Sequence, residues 1–144
     1  MAIERTNAQA NRNRLGKKPM DFEILGKKVS KPQKKLETFE KPADVTTVVM
    51  KSDEVTSICP VTGQPDFETV SIEYAPDKLC VESKSLKLYL WSFRDKGAFC
   101  EALADTIAND FFKACKPFWC KVTVVQKPRG GIEITSTAEV KRNT

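Results

Sequence analysis

The period of apolar and polar positions changes several times along the chain, and each change marks an element. Val45 to Met50 is a β-branched, apolar run and predicts a first strand. From Phe67 to Tyr74 the pattern alternates, with Val70, Ile72 and Tyr74 on one face and Thr69, Ser71 and Glu73 on the other. That is the period of a half-buried strand. After Ser83 the apolar positions Leu86, Tyr89, Leu90 and Phe93 follow the i, i+3, i+4, i+7 spacing of a helix. Asp95-Lys96-Gly97 breaks that helix. A second is predicted from Ala98 to Cys115, with Phe99, Leu103, Ile107, Phe111 and Ala114 along its stripe and Pro117 as its stop. Phe118 to Gln126 reads as a third strand, apolar on both faces. Pro128-Arg129-Gly130-Gly131 is a turn, because Gly-Gly supplies the positive φ of a tight hairpin. Ile132 to Val140 alternates again as a fourth strand. The order predicts an α+β fold: an antiparallel four-stranded sheet with two helices packed on one face.

Composition narrows this little but excludes several chemistries. A chain of 144 residues with 40% hydrophobic and 30% charged content fits one globular domain. No run approaches a membrane span and no apolar leader opens the chain, so a cytoplasmic location is expected. Five cysteines, odd in number and widely spaced, point to reduced thiols rather than a disulfide framework. The chain has no histidine. Ser-His-Asp and Cys-His catalysis are thereby excluded, zinc binding is disfavoured, and no metal is expected. Proton transfer has to fall to carboxylates, lysine, tyrosine or cysteine. The charge is uneven: residues 1–42 hold 11 Lys/Arg against 5 Asp/Glu, and residues 43–144 hold 13 against 14. Residues 1–42 therefore read as a basic, largely irregular extension, with Phe22 and Leu25 as its docking points, and 43–144 as the folded domain. Such an extension suits a solvated or assembly arm better than nucleic acid, since no aromatics interleave its charges.

Two stretches carry candidate chemistry. In Cys59-Pro60-Val61-Thr62-Gly63-Gln64-Pro65-Asp66 a cysteine and a carboxylate stand seven residues apart, joined by turn formers. If the loop brings its ends together, Cys59 is a nucleophile and Asp66 its proton partner. The competing reading is an ordinary buried cysteine and a turn aspartate. The second stretch is Val81-Glu82-Ser83-Lys84-Ser85-Leu86-Lys87. Glu82 and Ser83 fall at a helix start, where unpaired N–H groups attract anions, and Lys84 and Lys87 share one helix face. Alone, two lysines on a helix are equally a solvated face.

Together these segments resemble a known family. Glu82-Ser83-Lys84-Ser85-Leu86-Lys87-Leu88-Tyr89 followed by Trp91-Ser92-Phe93-Arg94, the Cys59–Asp66 loop, Phe99-Cys100-Glu101 and the Pro128–Gly131 turn resemble motifs of the NADPH-dependent 7-cyano-7-deazaguanine reductases, in their short single-module form. The resemblance spans roughly residues 44–140. It implies a tunnelling fold that assembles into rings with sites between subunits, a small-molecule deazapurine substrate and NADPH as cofactor. It also implies reduction of a nitrile to a primary amine in queuosine biosynthesis. Cys59 is then the nucleophile that forms a covalent thioimidate, and Asp66 the proton donor. Val81, Glu82, Ser83, Cys100 and Glu101 are implied to contact substrate, and Ser83, Lys84, Lys87, Arg129 and Gly130 to contact cofactor. One departure stands out: the family pattern often has histidine where this chain has Cys100. A thiol is a weak hydrogen-bond donor, so no histidine role carries over there. Two other readings remain, an amidine-forming relative acting on the same nitrile in tRNA and a basic-tailed RNA-binding module.

Overall fold

Alternating burial from Pro65 to Ala75 builds the strand against which the rest is arranged: Asp66, Glu68, Val70, Ile72 and Tyr74 are buried in phase. The computed structural model describes residues 22–29 and 31–143. In chain order its elements are β1 (Thr38–Glu40), β2 (Val48–Ile58), β3 (Pro65–Ala75), β4 (Leu79–Val81), α1 (Ser83–Trp91), α2 (Cys100–Cys115), β5 (Trp119–Arg129) and β6 (Ile132–Lys141). The architecture is α+β, with a four-stranded sheet in the order β2-β3-β5-β6 and every neighbouring pair antiparallel.

The inner face of the sheet presents Val70, Ile72 and Tyr74 from β3 and Cys120, Val122 and Val124 from β5. Leu86, Tyr89 and Leu90 of α1 and Leu103, Ile107 and Phe111 of α2 close over it as one core. Tyr74 and Phe111 meet edge-on with ring centroids 4.8 Å apart. The outer face of β3, at Thr69, Ser71 and Glu73, is only half-covered within one chain.

Four expectations need correction. The second helix buries Cys100, Leu103, Ala104, Ile107, Ala108, Phe111 and Cys115, while Phe99 is 56% exposed and Ala114 is half-exposed. Phe99 is the extended residue before the helix, so the helical phase does not apply to it. The third strand buries one face only, because Lys121 and Thr123 point away from the core. A second sheet also exists, with β1 paired antiparallel to β4. Three-residue strands carry no readable period, and the compositional boundary at residue 42 falls behind β1.

The fourth correction concerns the docking point of the N-terminal segment. Ile24 is the buried residue there, while Leu25 is exposed and Phe22 half-buried. The backbone N–H groups of Glu23 and Ile24 both donate to the Glu37 carboxylate, at 2.7 and 2.8 Å. The Ser85 hydroxyl accepts from the Glu37 N–H at 2.9 Å, which fastens this arm to the start of α1. Residues 1–21, including Met20 and Asp21 of the short apolar patch, lie outside the described residues.

Candidate active site

β2 and β3 end in a tight connection that folds the Cys59 loop back on itself. The last rungs of the ladder pair Ser57 with Asp66 and Ile58 with Pro65. Beyond them the Cys59 N–H donates to the Gln64 carbonyl at 2.8 Å, and the Gly63 N–H donates to the Cys59 carbonyl at 2.9 Å. Gly63 takes a positive φ of 72°, the left-handed conformation that closes the turn. Pro65 is the first residue of its strand, where its missing N–H breaks no ladder bond.

A third segment reaches this end of the sheet from the helical layer. The Ile58 N–H donates to the Lys96 carbonyl at 2.9 Å and the Ala98 N–H to the Ile58 carbonyl at 3.1 Å. The N-terminus of α2, with Phe99, Cys100 and Glu101, is thereby pinned beside the loop.

Arg129 comes from the opposite hairpin. Gly130 and Gly131 have φ of 58° and 78°, so β5 and β6 are joined by a two-residue turn that only positive φ permits. A register shift between Gln126 and Arg129 marks a bulge, the kind of irregularity that re-aims a side chain. The guanidinium donates to Asp66 Oδ1 at 2.5 Å, to Thr62 Oγ1 at 3.0 Å and to Gln64 Oε1 at 2.5 Å. One cation thus staples the loop to β3. Asp66 is 3% exposed, so its carboxylate lies inside an ion pair rather than in solvent.

Cys59 differs from the other thiols. Its thiol is lowered to about 6 by hydrogen bonds from the Thr62 hydroxyl and N–H, the Arg129 guanidinium and the Val61 N–H. Burial pushes Cys115 and Cys120 up to about 12 and raises Cys100 as well. All five cysteines are free. At neutral pH the half-buried Cys59 is therefore the thiolate, and the thiolate is the nucleophile. Removing Arg129 by Arg129→Met is expected to move the titration of Cys59 upward. Each unit lowers the thiolate fraction about tenfold below the pKa. Iodoacetamide alkylation from pH 5 to 9 measures this; an unshifted curve removes Arg129 from the activation of Cys59.

The remaining expected site residues divide between two places. Glu101 is exposed on the first turn of α2, near the loop. Cys100, next after the exposed Phe99, is buried in the core at 2% exposure, with its sulfur 3.6 Å from the Val124 carbonyl. Val81, Glu82 and Ser83 lie at the far end of β3: the Val81 N–H donates to the Tyr74 hydroxyl at 3.0 Å. Tyr74 is eight residues along β3 from Asp66, which is about 26 Å of strand. Glu82 is the N-cap of α1, its carboxylate accepting from the N–H groups of Lys84 at 2.7 Å and Ser85 at 2.8 Å. Lys84 Nζ is held by the Ile24 and Lys27 carbonyls. Ser83 and Lys87 instead line a groove of about 670 Å³ between α1 and the edge strand β2, with Trp91 at its rim.

Sequence reasoning missed Glu68. It is 1% exposed and accepts from the Ser57 hydroxyl at 2.6 Å. Burial, with the Asp66 charge as a smaller contribution, raises its carboxyl to about 7, although the bond from Ser57 opposes this. The signal was present: Asp66 and Glu68 continue the alternation of Val70, Ile72 and Tyr74 towards the loop.

A low-pKa thiol joined through one arginine to a buried carboxylate, with a hydroxyl- and lysine-lined groove on the same domain, is an arrangement suited to nucleophilic chemistry at sulfur. The comparisons with known proteins define the kind. A family profile described as QueF-like protein matches residues 65–144. The chain is 47% identical over 115 residues to the NADPH-dependent 7-cyano-7-deazaguanine reductase of Nitrosococcus oceani, covering 78% of this chain and 89% of that one. It is 49% identical over 121 residues to the protein of the same name from Syntrophus aciditrophicus, covering 83% and 86%. Among solved structures, the crystal structure of the archaeosine synthase QueF-Like in the apo form is similar. Its TM-score is 0.65 at 27% identity, over 70% of this chain and 99% of that one. The chain belongs to the QueF-like family, on the side of its NADPH-dependent 7-cyano-7-deazaguanine reductases.

Proposed function

We propose that this protein reduces the nitrile of 7-cyano-7-deazaguanine to the aminomethyl group with NADPH, through a covalent thioimidate on Cys59 with Asp66 as proton donor. The observation that carries the mechanism is the thiol lowered to about 6, in a loop that Arg129 ties to Asp66 at 2.5 Å. The protein is an NADPH-dependent oxidoreductase, as its relatives at 47–49% identity are named.

The Cys59 thiolate attacks the nitrile carbon, forming a C–S bond as one C≡N π pair moves to nitrogen, which takes a proton from Asp66; Asp66 must be protonated at that moment, so its pair with Arg129 opens before the step. A nitrile is a poor hydride acceptor, and the sulfur adduct converts it into a C=N that accepts one. Bound NADPH would supply two hydrides over the full reduction: after the first, the C–S bond breaks to return the Cys59 thiolate and leave an imine, which takes the second hydride and a proton to become the amine. The chain's own residues bind and orient: Glu101 accepts from the N–H edge of the base, while Ser83 and Lys87 in the groove, with Arg129 beside the glycine turn, supply donors and positive charge for phosphates. That donor set fits a phosphorylated dinucleotide.

Within one chain Glu82 and Ser83 lie by the Tyr74 end of β3 and the Cys59 loop at its Asp66 end, so a site that uses both is completed by a second subunit. In support, β2 and β6 are long outer strands, each paired with another strand on one side only among the described residues, apart from the bridge of Ile58 to Gly97. Pairing them edge to edge generates the rings expected of a tunnelling fold. A diffusible cofactor and a free base as substrate support a cytoplasmic location for the reaction. Among the described residues no helix is long and apolar enough to cross a membrane.

The archaeosine synthase neighbour favours one second reading, addition of ammonia to the same nitrile without NADPH. Mixing protein, NADPH and 7-cyano-7-deazaguanine separates the two. Substrate-dependent loss of the reduced-nicotinamide absorbance is expected. No loss, with incorporation of ammonia into a tRNA-borne nitrile, selects the amidine-forming reaction.

A further inference from the structure

The proposed reaction consumes more protons than one aspartate holds. Converting a nitrile to a primary amine adds two hydrides and two protons. One proton reaches nitrogen when the thioimidate forms, and the second when the imine becomes the amine. Asp66 delivers one and is then a carboxylate beside Arg129. Something has to return a proton to it.

Glu68 stands where that proton can be kept. It lies two residues from Asp66 on the same buried face of β3, so their Cα atoms are about 7 Å apart, a separation across which one water can bridge the two carboxyls. It is 1% exposed, and of its two oxygens only Oε1 has a partner, the Ser57 hydroxyl at 2.6 Å. Oε2 is buried without a hydrogen-bond partner. A buried carboxylate with an oxygen left bare is costly, whereas a carboxylic acid is tolerated there. The groups that bear on it are Ser57 from β2, Asp66 from its own strand and Cys100 from α2. None of them is a cation. Arg129, the nearby cation, is directed to Asp66, Thr62 and Gln64 instead.

We propose that Glu68 is the second proton carrier of this site: its buried carboxylic acid reprotonates Asp66 between the two reductions and is itself recharged from water. The transfer is balanced, Glu68 COOH and Asp66 COO⁻ becoming Glu68 COO⁻ and Asp66 COOH, with no electron moved. The inference rests on the reading of Cys59 and Asp66 given above. In agreement, Glu68 holds its proton up to about pH 7, in the range where Cys59 is already ionised. Turnover is therefore expected to rise with pH through about 6 as Cys59 ionises and to fall through about 7 as Glu68 does.

The test uses the full chain with Glu68→Gln, a near-isostere that still accepts from Ser57 and carries no transferable proton. With substrate and no NADPH, adduct formation followed by intact mass should stay within about twofold of the parent, since Asp66 supplies that proton. Multiple turnover with NADPH should fall at least about tenfold, in the lower range for losing an acid–base group, and the falling limb near pH 7 should vanish. Ser57→Ala gives an independent reading: it removes the bond that lowers the Glu68 titration, so the falling limb should move to higher pH. Unchanged turnover and pH profile in Glu68→Gln overturn the proposal. So does loss of the adduct together with turnover, or a Ser57→Ala limb that stays in place. If the parent protein forms no adduct at all, it is the reading of Cys59 that fails.

Discussion

Replacing Cys59 by alanine is expected to abolish the covalent adduct and to lower turnover by on the order of 10³-fold or more, as loss of an enzyme nucleophile does elsewhere. The size follows from how completely the chain depends on this one thiol. The other cysteines are buried, and Cys100, the nearest alternative, has its sulfur against the Val124 carbonyl with its ionisation raised by burial. None can substitute without unpacking the core. The substitution is a mild one for the fold: Cys59 is only half-buried, and its backbone bonds to Gln64 and Gly63 do not involve the side chain. An unchanged melting temperature with no adduct is the expected pair of results. A persisting adduct in Cys59→Ala removes Cys59 from the mechanism.

The second large effect belongs to Asp66. Asp66→Asn should lower turnover about 10²- to 10⁴-fold, the range for a positioned acid, with substrate affinity changed only a few-fold. A competing effect acts in the opposite direction on the nucleophile. Asp66 neutralises Arg129, and Arg129 also hydrogen-bonds Cys59. Without the carboxylate, the guanidinium charge acts on the sulfur alone, so the thiolate should persist to lower pH. Alkylation of Cys59 at pH 6 should therefore be at least as fast in Asp66→Asn as in the parent, while turnover collapses. If both rates fall together, Asp66 serves to shape the loop rather than to donate a proton.

The fold was legible wherever burial imposes a period. β3 alternates because one face meets the helices, and both helices announce themselves by their apolar stripes. The short β1 and β4 were invisible because three residues define no period, and their pairing depends on the Glu37 contacts to Ser85 and to the turn at Ile24. Cys59 and Asp66 were legible as a pair because the segment between them is built from turn formers. Their staple was not, since Arg129 lies 63 residues from Asp66 in sequence and reaches it only through a bulge.

Other site residues show why type and spacing are insufficient. Glu82 has the character expected of a ligand contact, yet both its carboxylate oxygens cap the helix that follows. Lys84 and Lys87 are alike in sequence, but Lys84 is engaged by the carbonyls of residues 24 and 27 whereas Lys87 faces the groove. Glu68 was overlooked for the opposite reason. A charged residue in a strand reads as solvent-facing, although its parity with Val70 and Ile72 puts it inside.

The central claim is that Cys59 adds to the nitrile of 7-cyano-7-deazaguanine before any reduction takes place. Intact-mass measurement of the protein incubated with substrate alone tests it most directly. The account predicts one adduct per chain, heavier by the whole mass of the substrate because nothing leaves on addition, located at Cys59 by peptide mapping and absent in Cys59→Ala. A protein that consumes NADPH with this substrate but never gains that mass, or gains it at another residue, would contradict it.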